Sequence, residues 1–169
     1  VIAAKTAEGL RVMNQKIRDR ELKKYYLCIV HGTLPRPAGR LEGYILKDEA
    51  KKQVTVSSRP RPGAKTAVTL YETLAVRNGL SLVRCQLITG RTHQIRAQFA
   101  AAGHPLLGDG KYGSERQNKR YGRSYQALYS YRLEFCFTTD AGALAPLDGQ
   151  QFQVEQVDFV TEYFPGFSL

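Results

Sequence analysis

The strongest constraint on the fold is the Asn-Gly pair at residues 78–79, which lies between two apolar segments, residues 66–76 and 80–88. Asn-Gly supplies the two positive-φ residues that a tight type I′ hairpin turn requires. Two strands joined by such a turn must pair antiparallel. The sequence therefore predicts a β-hairpin near the middle of the chain, and the remaining elements have to be arranged around it.

Other segments are also typical of strands. Residues 24–31 are rich in β-branched and aromatic side chains and end at Gly32, and residues 129–137 alternate between apolar and polar side chains. Weaker strand patterns occur at residues 41–47 and 52–57 and around Phe152 and Val154.

Two helices are predicted from apolar spacing and capping. Residues 5–20 have Thr6 as a candidate N-cap and place Leu10, Met13 and Ile17 on one face. Strands outnumber helices in the whole reading, so the predicted class is α+β with a largely antiparallel sheet.

The second helix is predicted over residues 93–102, with Thr92 as its cap and Gly103 at its end. The glycine-rich residues 104–113 predict an ordered loop, and the polar, basic residues 114–125 a flexible surface segment.

The charge of the chain is large and unevenly distributed. The net charge of the 169 residues is +10, but residues 1–132 contain all 25 basic and nine acidic residues, a net charge of +16. A domain this basic favours a polyanionic partner, RNA or DNA, over simple solubility. An apolar content of 43% excludes a disordered chain.

Cysteine and histidine usage bounds the compartment and the chemistry. Cys28, Cys85 and Cys136 are odd in number and widely spaced, which predicts reduced thiols in a cytoplasmic protein rather than a disulfide framework. The three histidines are too dispersed to suggest a metal cage. No segment has the pattern of a signal peptide or a membrane span.

The segment Leu87–Arg96 is the most informative one for chemistry. A strand runs into a glycine turn and then a helix, which places Arg91, the Thr92 hydroxyl and free backbone N–H groups where phosphate oxygens bind. Arg96 lies one turn further along on the same side, and an arginine within the fold needs a carboxylate partner. None of the nearby residues is an obvious partner.

The residues alone leave several alternatives open. A capped helix with a surface arginine explains this segment about as well as a functional site does. Tyr26 is as expected for a core tyrosine. Asp109 is either a catalytic carboxylate or, as is more common in such a loop, a carboxylate that closes its own turn. His93 and His104 are ordinary polar residues or acid–base groups. The basic stretches at residues 16–24 and 111–123 either grip phosphates or are merely solvated, and the net charge favours phosphates.

Residues 90–113, GRTHQIRAQFAAAGHPLLGDGKYG, closely resemble the signature of RluA-type RNA pseudouridine synthases. That signature is G-R-T-H-Q-I-R, a short helix and then G-H-P-[IL]-x-G-D-x-x-Y-G, and every fixed position is present. A second family motif, K-x-Y-x-x-x-V-x-G, is matched by Lys24, Tyr26, Val30 and Gly32. Lys5-Thr6 and residues 126–128 resemble further family segments. The resemblance therefore implies the pseudouridine synthase catalytic fold, with a mostly antiparallel mixed sheet flanked by helices and loops.

The resemblance implies that specific uridines in RNA are isomerised to pseudouridine without a metal or an organic cofactor. In this family an aspartate drives cleavage of the glycosidic bond, an arginine pairs with that aspartate, and a tyrosine packs against the flipped-out base. By motif position, Arg96 takes the arginine role and Tyr26 the tyrosine role. Large-subunit ribosomal RNA is the expected substrate, with transfer RNA as the alternative. The expected RNA contacts are Lys24, Arg91, Thr92, His93, Gln94, Lys119, Arg120 and Arg123.

The sequence departs from the family at one essential point. The aspartate lies in an H-R-L-D-x-x-T-S-G motif, which does not occur in these 169 residues, and the chain begins with Val rather than Met. Asp109 is no substitute, since it matches a separate loop position of the signature. We therefore expect residues 1–169 to be a pseudouridine synthase catalytic domain truncated at its N-terminus, inactive without a complementing N-terminal piece.

Two other classes were weighed against the enzyme. One is an RNA-binding module that has lost catalysis and acts in ribosome assembly, which the basic charge and the retained fold also suit. Retention of Arg96 argues against it, because a buried arginine without its carboxylate would be costly. The other is a DNA-binding protein, which only the charge favours, since no helix-turn-helix or zinc-finger pattern is found.

Overall fold

The most deeply buried part of the protein is a ten-residue strand, β1 (Leu22–His31), in which the side chains from Leu27 to Val30 have no exposed surface. Strand β1 lies between β5 (Leu80–Leu87) and β6 (Leu128–Phe135) and pairs antiparallel with both. Its position explains the composition noted above, because a central strand has both faces covered and needs β-branched and aromatic side chains on each.

The computed structural model describes residues 2–169 and contains one seven-stranded sheet with the order β3-β2-β4-β5-β1-β6-β7. Every pairing between these strands is antiparallel, so within residues 2–169 the sheet has none of the parallel pairs that a mixed sheet would contain. The α+β class is confirmed. The remaining elements, in chain order, are α1 (Ala7–Arg18), β2 (Ala38–Asp48), β3 (Gln53–Ser57), β4 (Lys65–Arg77), α2 (Gln94–Ala101), α3 (Glu115–Arg120), a 3-10 helix (Gly142–Leu147), β7 (Gln151–Gln153) and α4 (Asp158–Tyr163).

The β4–β5 hairpin has the predicted turn. Asn78 and Gly79 have φ angles of 51° and 73°, so both central residues of the turn have positive φ. The two strands pair from Arg77 opposite Leu80 down to Thr69 opposite Leu87. The register set by the turn shifts once, between Thr73 and Ala75, and the paired strands then carry the end of β5 to the glycine turn before α2.

The two faces of β1 are covered by different parts of the chain. Cys28 and Val30 pack with Ile95 and Phe99 of α2, and Tyr26 lies against the same cluster. On the opposite face, Leu27 and Ile29 pack with the C-terminal segment, where Val157, Phe159, Val160 and Phe164 are buried. The alternation of side chains along a strand therefore separates the α2 side of the sheet from the α4 side.

Helix α1 begins and ends within the predicted residues 5–20. Thr6 is its N-cap and accepts a hydrogen bond from the backbone N–H of Gly9 at 3.0 Å, as predicted. The helix is joined to the sheet by a buried ion pair, because the Lys16 ammonium lies 2.7 Å from the Glu21 carboxylate. Lys16 also donates to the carbonyl and hydroxyl oxygens of Thr139.

The C-terminal third differs most from the sequence predictions. Residues 114–125 were expected to be flexible, but they contain α3, in which Asn118 is buried. Helix α4 and the 3-10 helix were not predicted, because each is only six residues long and lacks an amphipathic repeat. Among residues 2–169, no helix is long and apolar enough to cross a membrane.

The Lys16–Glu21 pair predicts a specific pH dependence of stability. Hydrogen bonds from Lys16, then Thr138 and Thr139, lower the pKa of Glu21 from 4.5 to about 2. Because the folded-state pKa is lowered, this stabilisation is full above the unfolded pKa and is lost as pH falls from about 4.5 to about 2. Glu21→Gln should therefore reduce the free energy of unfolding at pH 7, and its deficit relative to wild type should shrink in acid. Urea titrations across this pH range measure the effect.

The exposed Glu155→Gln substitution is the matched control and should follow the wild-type pH profile. A Glu21→Gln deficit that is the same at every pH would contradict the assignment.

Candidate functional site

The chain turns sharply between β5 and α2, and this turn shapes the candidate site. His93 is the N-cap residue of α2 and has a φ of 51°, in the left-handed region that residues other than glycine seldom occupy. No side chain caps the helix, so the prediction that Thr92 does so is wrong. A non-glycine residue held at positive φ needs surrounding contacts that stabilise it, and such residues concentrate at functional sites.

Gln94 stabilises this turn from inside. Its Oε1 accepts hydrogen bonds from the Thr89 hydroxyl at 2.8 Å and the Arg91 backbone N–H at 3.0 Å. Its Nε2 donates to the Val68 carbonyl and to the Thr69 hydroxyl. The side chain is buried and its amide is fully used within the fold. The expectation that Gln94 contacts RNA is therefore corrected: Gln94 joins α2 to β4.

Arg96 and Asp109 form a two-pronged ion pair at the centre of the site. Arg96 Nε donates to Asp109 Oδ2 at 2.7 Å and an Arg96 Nη to Asp109 Oδ1 at 2.8 Å. Asp109 has no exposed surface, and the Arg96 side chain is 13% exposed. The sequence analysis found no obvious nearby carboxylate for Arg96, which is wrong: the partner is 13 residues away along the chain.

The loop of residues 104–113 is shaped around the Asp109 carboxylate. Besides Arg96, its Oδ1 accepts hydrogen bonds from the backbone N–H groups of Lys111 at 2.9 Å and Tyr112 at 3.0 Å. Asp109 therefore closes its own turn, which was one of the two alternatives for this residue. Because the carboxylate receives four hydrogen bonds, it is committed to Arg96 and the loop, and it is not free to attack a substrate.

The first half of this loop is laid along β1. The His31 backbone N–H donates to the Pro105 carbonyl at 3.0 Å, and the Leu107 N–H donates to the Ile29 carbonyl at 2.9 Å. Gly108 follows at a φ of +76°, and a Cβ there would lie 2.0 Å from the carbonyl oxygen of Tyr125. Only glycine fits at residue 108. The hydrogen bonds of Pro105 and Leu107 with β1 position the start of the loop that leads to Asp109.

The charge states within the site follow from these contacts. Burial by itself would raise the pKa of Asp109, but hydrogen bonds from Arg96 and from the Tyr112 and Lys111 N–H groups bring it below its usual value. The hydrogen bond with Asp109 raises the pKa of Arg96. Burial, together with the positive charges of Arg96 and Lys111, lowers the pKa of His93. At neutral pH the site therefore contains a charged pair beside a neutral imidazole.

His93 is oriented by Tyr112. Tyr112 Oη lies 2.9 Å from His93 Nδ1 and accepts a hydrogen bond from the Val54 backbone N–H at 2.9 Å. A hydroxyl can donate one hydrogen bond and accept two, so Tyr112 Oη and His93 Nδ1 share one hydrogen bond in either tautomer of the imidazole. The Tyr112 ring also lies beneath the guanidinium of Arg96, 5.2 Å from its centroid.

Tyr26 and Lys24 are on the α2 side of β1 and line one cleft. This cleft has a volume of about 620 Å³, and its walls include Ile2, Leu133 and Phe152. The Nζ of Lys24 lies near the turn before α2, 3.7 Å from where a Cβ on Gly90 would be. The structure therefore brings Lys24 to the turn that carries Arg91 and Thr92.

A second cleft of about 210 Å³ lies on the other side of this turn. Arg91, Thr92, Lys47 and Lys65 line it, and Lys47 also pairs with the exposed Glu49. Sequence reasoning missed both lysines as site residues. The basic loop that ends at Gly63 was the sequence feature that could have indicated a basic cleft here, since Gly63 itself lines the cleft.

The three basic residues expected to bind RNA between residues 119 and 123 differ in availability. Lys119 is exposed and pairs with Glu115, and Arg120 lies over the ring of Tyr121. Arg123 instead pairs with Asp158 and Glu162 and packs over the ring of Phe159. These contacts join Arg123 to α4.

The comparisons with known proteins support the resemblance drawn from residues 90–113. A family model described as RNA pseudouridylate synthase matches residues 1–101, more than half of the chain. An RNA pseudouridine synthase of Bacillus subtilis, YhcT, is 36% identical over 115 residues, 67% of this chain and 37% of the relative. Ribosomal large subunit pseudouridine synthase C of Escherichia coli is 31% identical over 144 residues, 82% of this chain and 44% of the relative. The chain thus spans less than half the length of these relatives.

Two solved human structures share the fold. RNA pseudouridylate synthase domain containing 1 superposes with a TM-score of 0.67 at 19% identity, covering 94% of this chain and 72% of that protein. RNA pseudouridylate synthase domain containing 4 gives 0.69 at 22% identity, covering 91% of this chain and 65% of that protein. The predicted catalytic fold is therefore confirmed.

The ion pair predicts the effect of removing one partner. Arg96→Met leaves the Asp109 carboxylate buried without its cation, which should cost about 3–5 kcal/mol in the free energy of unfolding. Adding Asp109→Asn removes that charge, so the double variant should be more stable than Arg96→Met alone. Urea denaturation at pH 7 measures the difference.

The exposed Arg11→Met substitution controls for the loss of one arginine and should change stability by no more than about 0.5 kcal/mol. If Arg96→Met were as mild, or if the double variant were less stable than Arg96→Met, the pairing would not be the interaction that holds this loop.

Proposed function

Because the chain belongs to the RNA pseudouridylate synthase family, we propose that it forms part of the catalytic domain of an enzyme that isomerises uridines in RNA to pseudouridine. The observation that carries the proposal is the Arg96–Asp109 pair, because it fixes the family's motif arginine rigidly beside the turn that begins α2. A side chain that must orient a reacting group needs such support from rigid elements.

In this proposal Arg96 bridges two carboxylates. A guanidinium has five N–H donors, and Asp109 occupies the Nε and one Nη. Within residues 2–169 the other Nη makes no hydrogen bond and retains some exposure. It can therefore receive the family's aspartate, whose motif does not occur in these residues. Arg96 would hold that aspartate ionised, while Asp109 holds Arg96.

The proposed reaction is an isomerisation that needs no further reactant. The bond between C1′ of the ribose and N1 of uracil breaks, the base rotates, and C1′ is joined to C5. N1 gains a proton and C5 loses one, so the product has the same composition as the substrate. Tyr26, on a rigid strand beside the larger cleft, is placed to pack against the flipped-out uracil.

The basic cleft lined by Lys47, Lys65 and Arg91 is proposed to bind the RNA backbone. It lies beside the same turn as Lys24 and Thr92, so phosphates bound there would flank the uridine in the larger cleft. His93, whose Nδ1 is paired with Tyr112, has its Nε2 as an additional polar atom at this edge. The net charge of +16 over residues 1–132 supports the long-range attraction of RNA.

The proposed substrate is large-subunit ribosomal RNA, with transfer RNA as the alternative. The support comes from two similar proteins, of Escherichia coli and Zymomonas mobilis, which are named ribosomal large subunit pseudouridine synthases C and D.

The second candidate is a catalytically inactive RNA-binding module. One observation removes the argument made against it from the sequence. Sequence reasoning counted Arg96 against it, on the ground that a buried arginine without the family's aspartate would be costly. Asp109 supplies a carboxylate to Arg96 within the chain, so the arginine is stable with or without the catalytic aspartate. Retention of Arg96 therefore does not distinguish the two candidates.

The deciding experiment uses the full-length protein that contains this chain. It is incubated with ribosomal RNA and, separately, with transfer RNA from cells that lack the gene, and pseudouridine is mapped by carbodiimide modification and primer extension. Formation at one site supports the enzyme, and binding without pseudouridine supports the inactive module. Arg11→Met should retain full activity, whereas Arg96→Met should lose it.

The basic cleft predicts the salt dependence of RNA binding. Replacing Lys47, Lys65 and Arg91 with alanine should lower the slope of log affinity against log salt by about two, at about 0.7 per lost contact with single-stranded RNA. A triple variant at Arg11, Arg36 and Arg77 removes the same charge from exposed residues that line neither cleft, and its slope should change little. Fluorescence anisotropy at several salt concentrations measures both, and equal slopes in the two variants would exclude the cleft as the phosphate site.

A further inference from the structure

We propose that Asn118 is a positioning residue for this site, and the proposal rests on the function proposed above. Its buried side-chain amide fixes the backbone of Gly108 and Asp109, and through Asp109 it fixes Arg96. Asn118 lies outside the motifs that carry the family resemblance, within the segment that the sequence suggested to be flexible.

The geometry consists of three contacts made by one amide. Asn118 Oδ1 accepts a hydrogen bond from the Gly108 backbone N–H at 2.8 Å and lies 3.0 Å from His31 Nε2. Asn118 Nδ2 donates to the Asp109 carbonyl oxygen at 3.3 Å. Since Oδ1 is an acceptor, His31 must carry its proton on Nε2 and donate it to Asn118. The amide thus ties the loop to the last residue of β1.

Asn118 contacts the backbone at Gly108 and Asp109, whereas the other contacts described above involve the Asp109 carboxylate. The carboxylate is occupied by Arg96 and two N–H groups, so the orientation of the peptide before and after Asp109 has to be set through backbone atoms. Asn118 holds the peptide after Asp109 at the Asp109 carbonyl, and it holds the Leu107–Gly108 peptide at the Gly108 N–H. The Asp109 carbonyl also accepts from the Gly113 N–H at 3.0 Å, and the Asp109 N–H donates to the Leu106 carbonyl at 3.2 Å. A small rotation there would swing the carboxylate and carry the Arg96 guanidinium with it.

Asparagine is the residue type that this position needs. It provides an acceptor for Gly108 and His31 and a donor for Asp109, whereas aspartate has no donor when ionised and an aliphatic side chain has neither. Asn118 is 6% exposed, so each lost partner would leave a buried polar group unsatisfied. It is also the one buried residue of α3, whose other side chains face solvent. The amide is therefore what attaches α3 to the site.

The test compares Asn118→Ala with Gln117→Ala in the full-length protein. Gln117 is the neighbouring amide on the same short helix but is exposed, so the control removes the same chemistry without touching the loop. Asn118→Ala should lower kcat by about 10- to 100-fold while KM for RNA stays within about twofold, because it misplaces Arg96 rather than removing an RNA contact. Gln117→Ala should leave both constants unchanged.

A second readout does not depend on turnover. The Arg96 Nε–H resonance in a ¹⁵N-labelled sample reports the hydrogen bond to Asp109 directly, and Arg96→Lys assigns it by its disappearance. Asn118→Ala should shift or broaden this resonance at temperatures where thermal melting shows a folded protein, and Gln117→Ala should not. If Asn118→Ala does not fold, Asn118→Asp replaces it, since it keeps the acceptor and loses the donor to the Asp109 carbonyl.

The two readouts separate failure of this inference from failure of the proposed function. An inactive wild-type protein would overturn the proposed function, while the resonance would still test Asn118. Wild-type kcat in a folded Asn118 variant, or an Arg96 resonance unchanged from wild type, would show that Asn118 does not position the pair.

Discussion

The buried ion pair between Arg96 and Asp109 is the interaction on which the rest of the site depends. A carboxylate with no exposed surface is unstable unless its charge is matched and its lone pairs are used, and Asp109 meets both conditions through four hydrogen bonds. The requirement extends to the backbone, because two of the donors are N–H groups of the loop itself. The loop of residues 104–113, helix α2 and, through Asn118, helix α3 are all ordered around this one charge.

The sheet supplies the rigidity that makes this arrangement useful. Strand β1 places Tyr26 and Lys24 on the side that faces α2, and the backbone of its last residues holds the start of the Asp109 loop. The hairpin turn at Asn78 and Gly79 joins β4 to β5 as antiparallel partners, and β5 leads the chain to the turn before α2. Arg96 and Tyr26 therefore come from elements with little freedom to move, which suits the role proposed for them in orienting a flipped base.

The basic composition does not indicate which basic side chains are paired within the fold and which line a cleft. Arg123 lies within a basic stretch but forms ion pairs with Asp158 and Glu162. Lys65 lies outside every motif but lines a cleft together with Arg91. The difference is one of geometry: a guanidinium flanked by two carboxylates has its field cancelled locally, and the total charge of the chain does not record this.

The sequence by itself determined the local structure and the family. The Asn-Gly turn, the apolar strand β1 and the Thr6 cap of α1 depend on neighbouring residues only, and residues 90–113 match the family signature position by position. Only the tertiary structure decided that Arg96 pairs with Asp109, that Gln94 is internal and that Asn118 is buried. Those outcomes depend on how a glycine-rich loop folds back across β1, and contacts between residues distant in sequence are set by packing that no local pattern encodes.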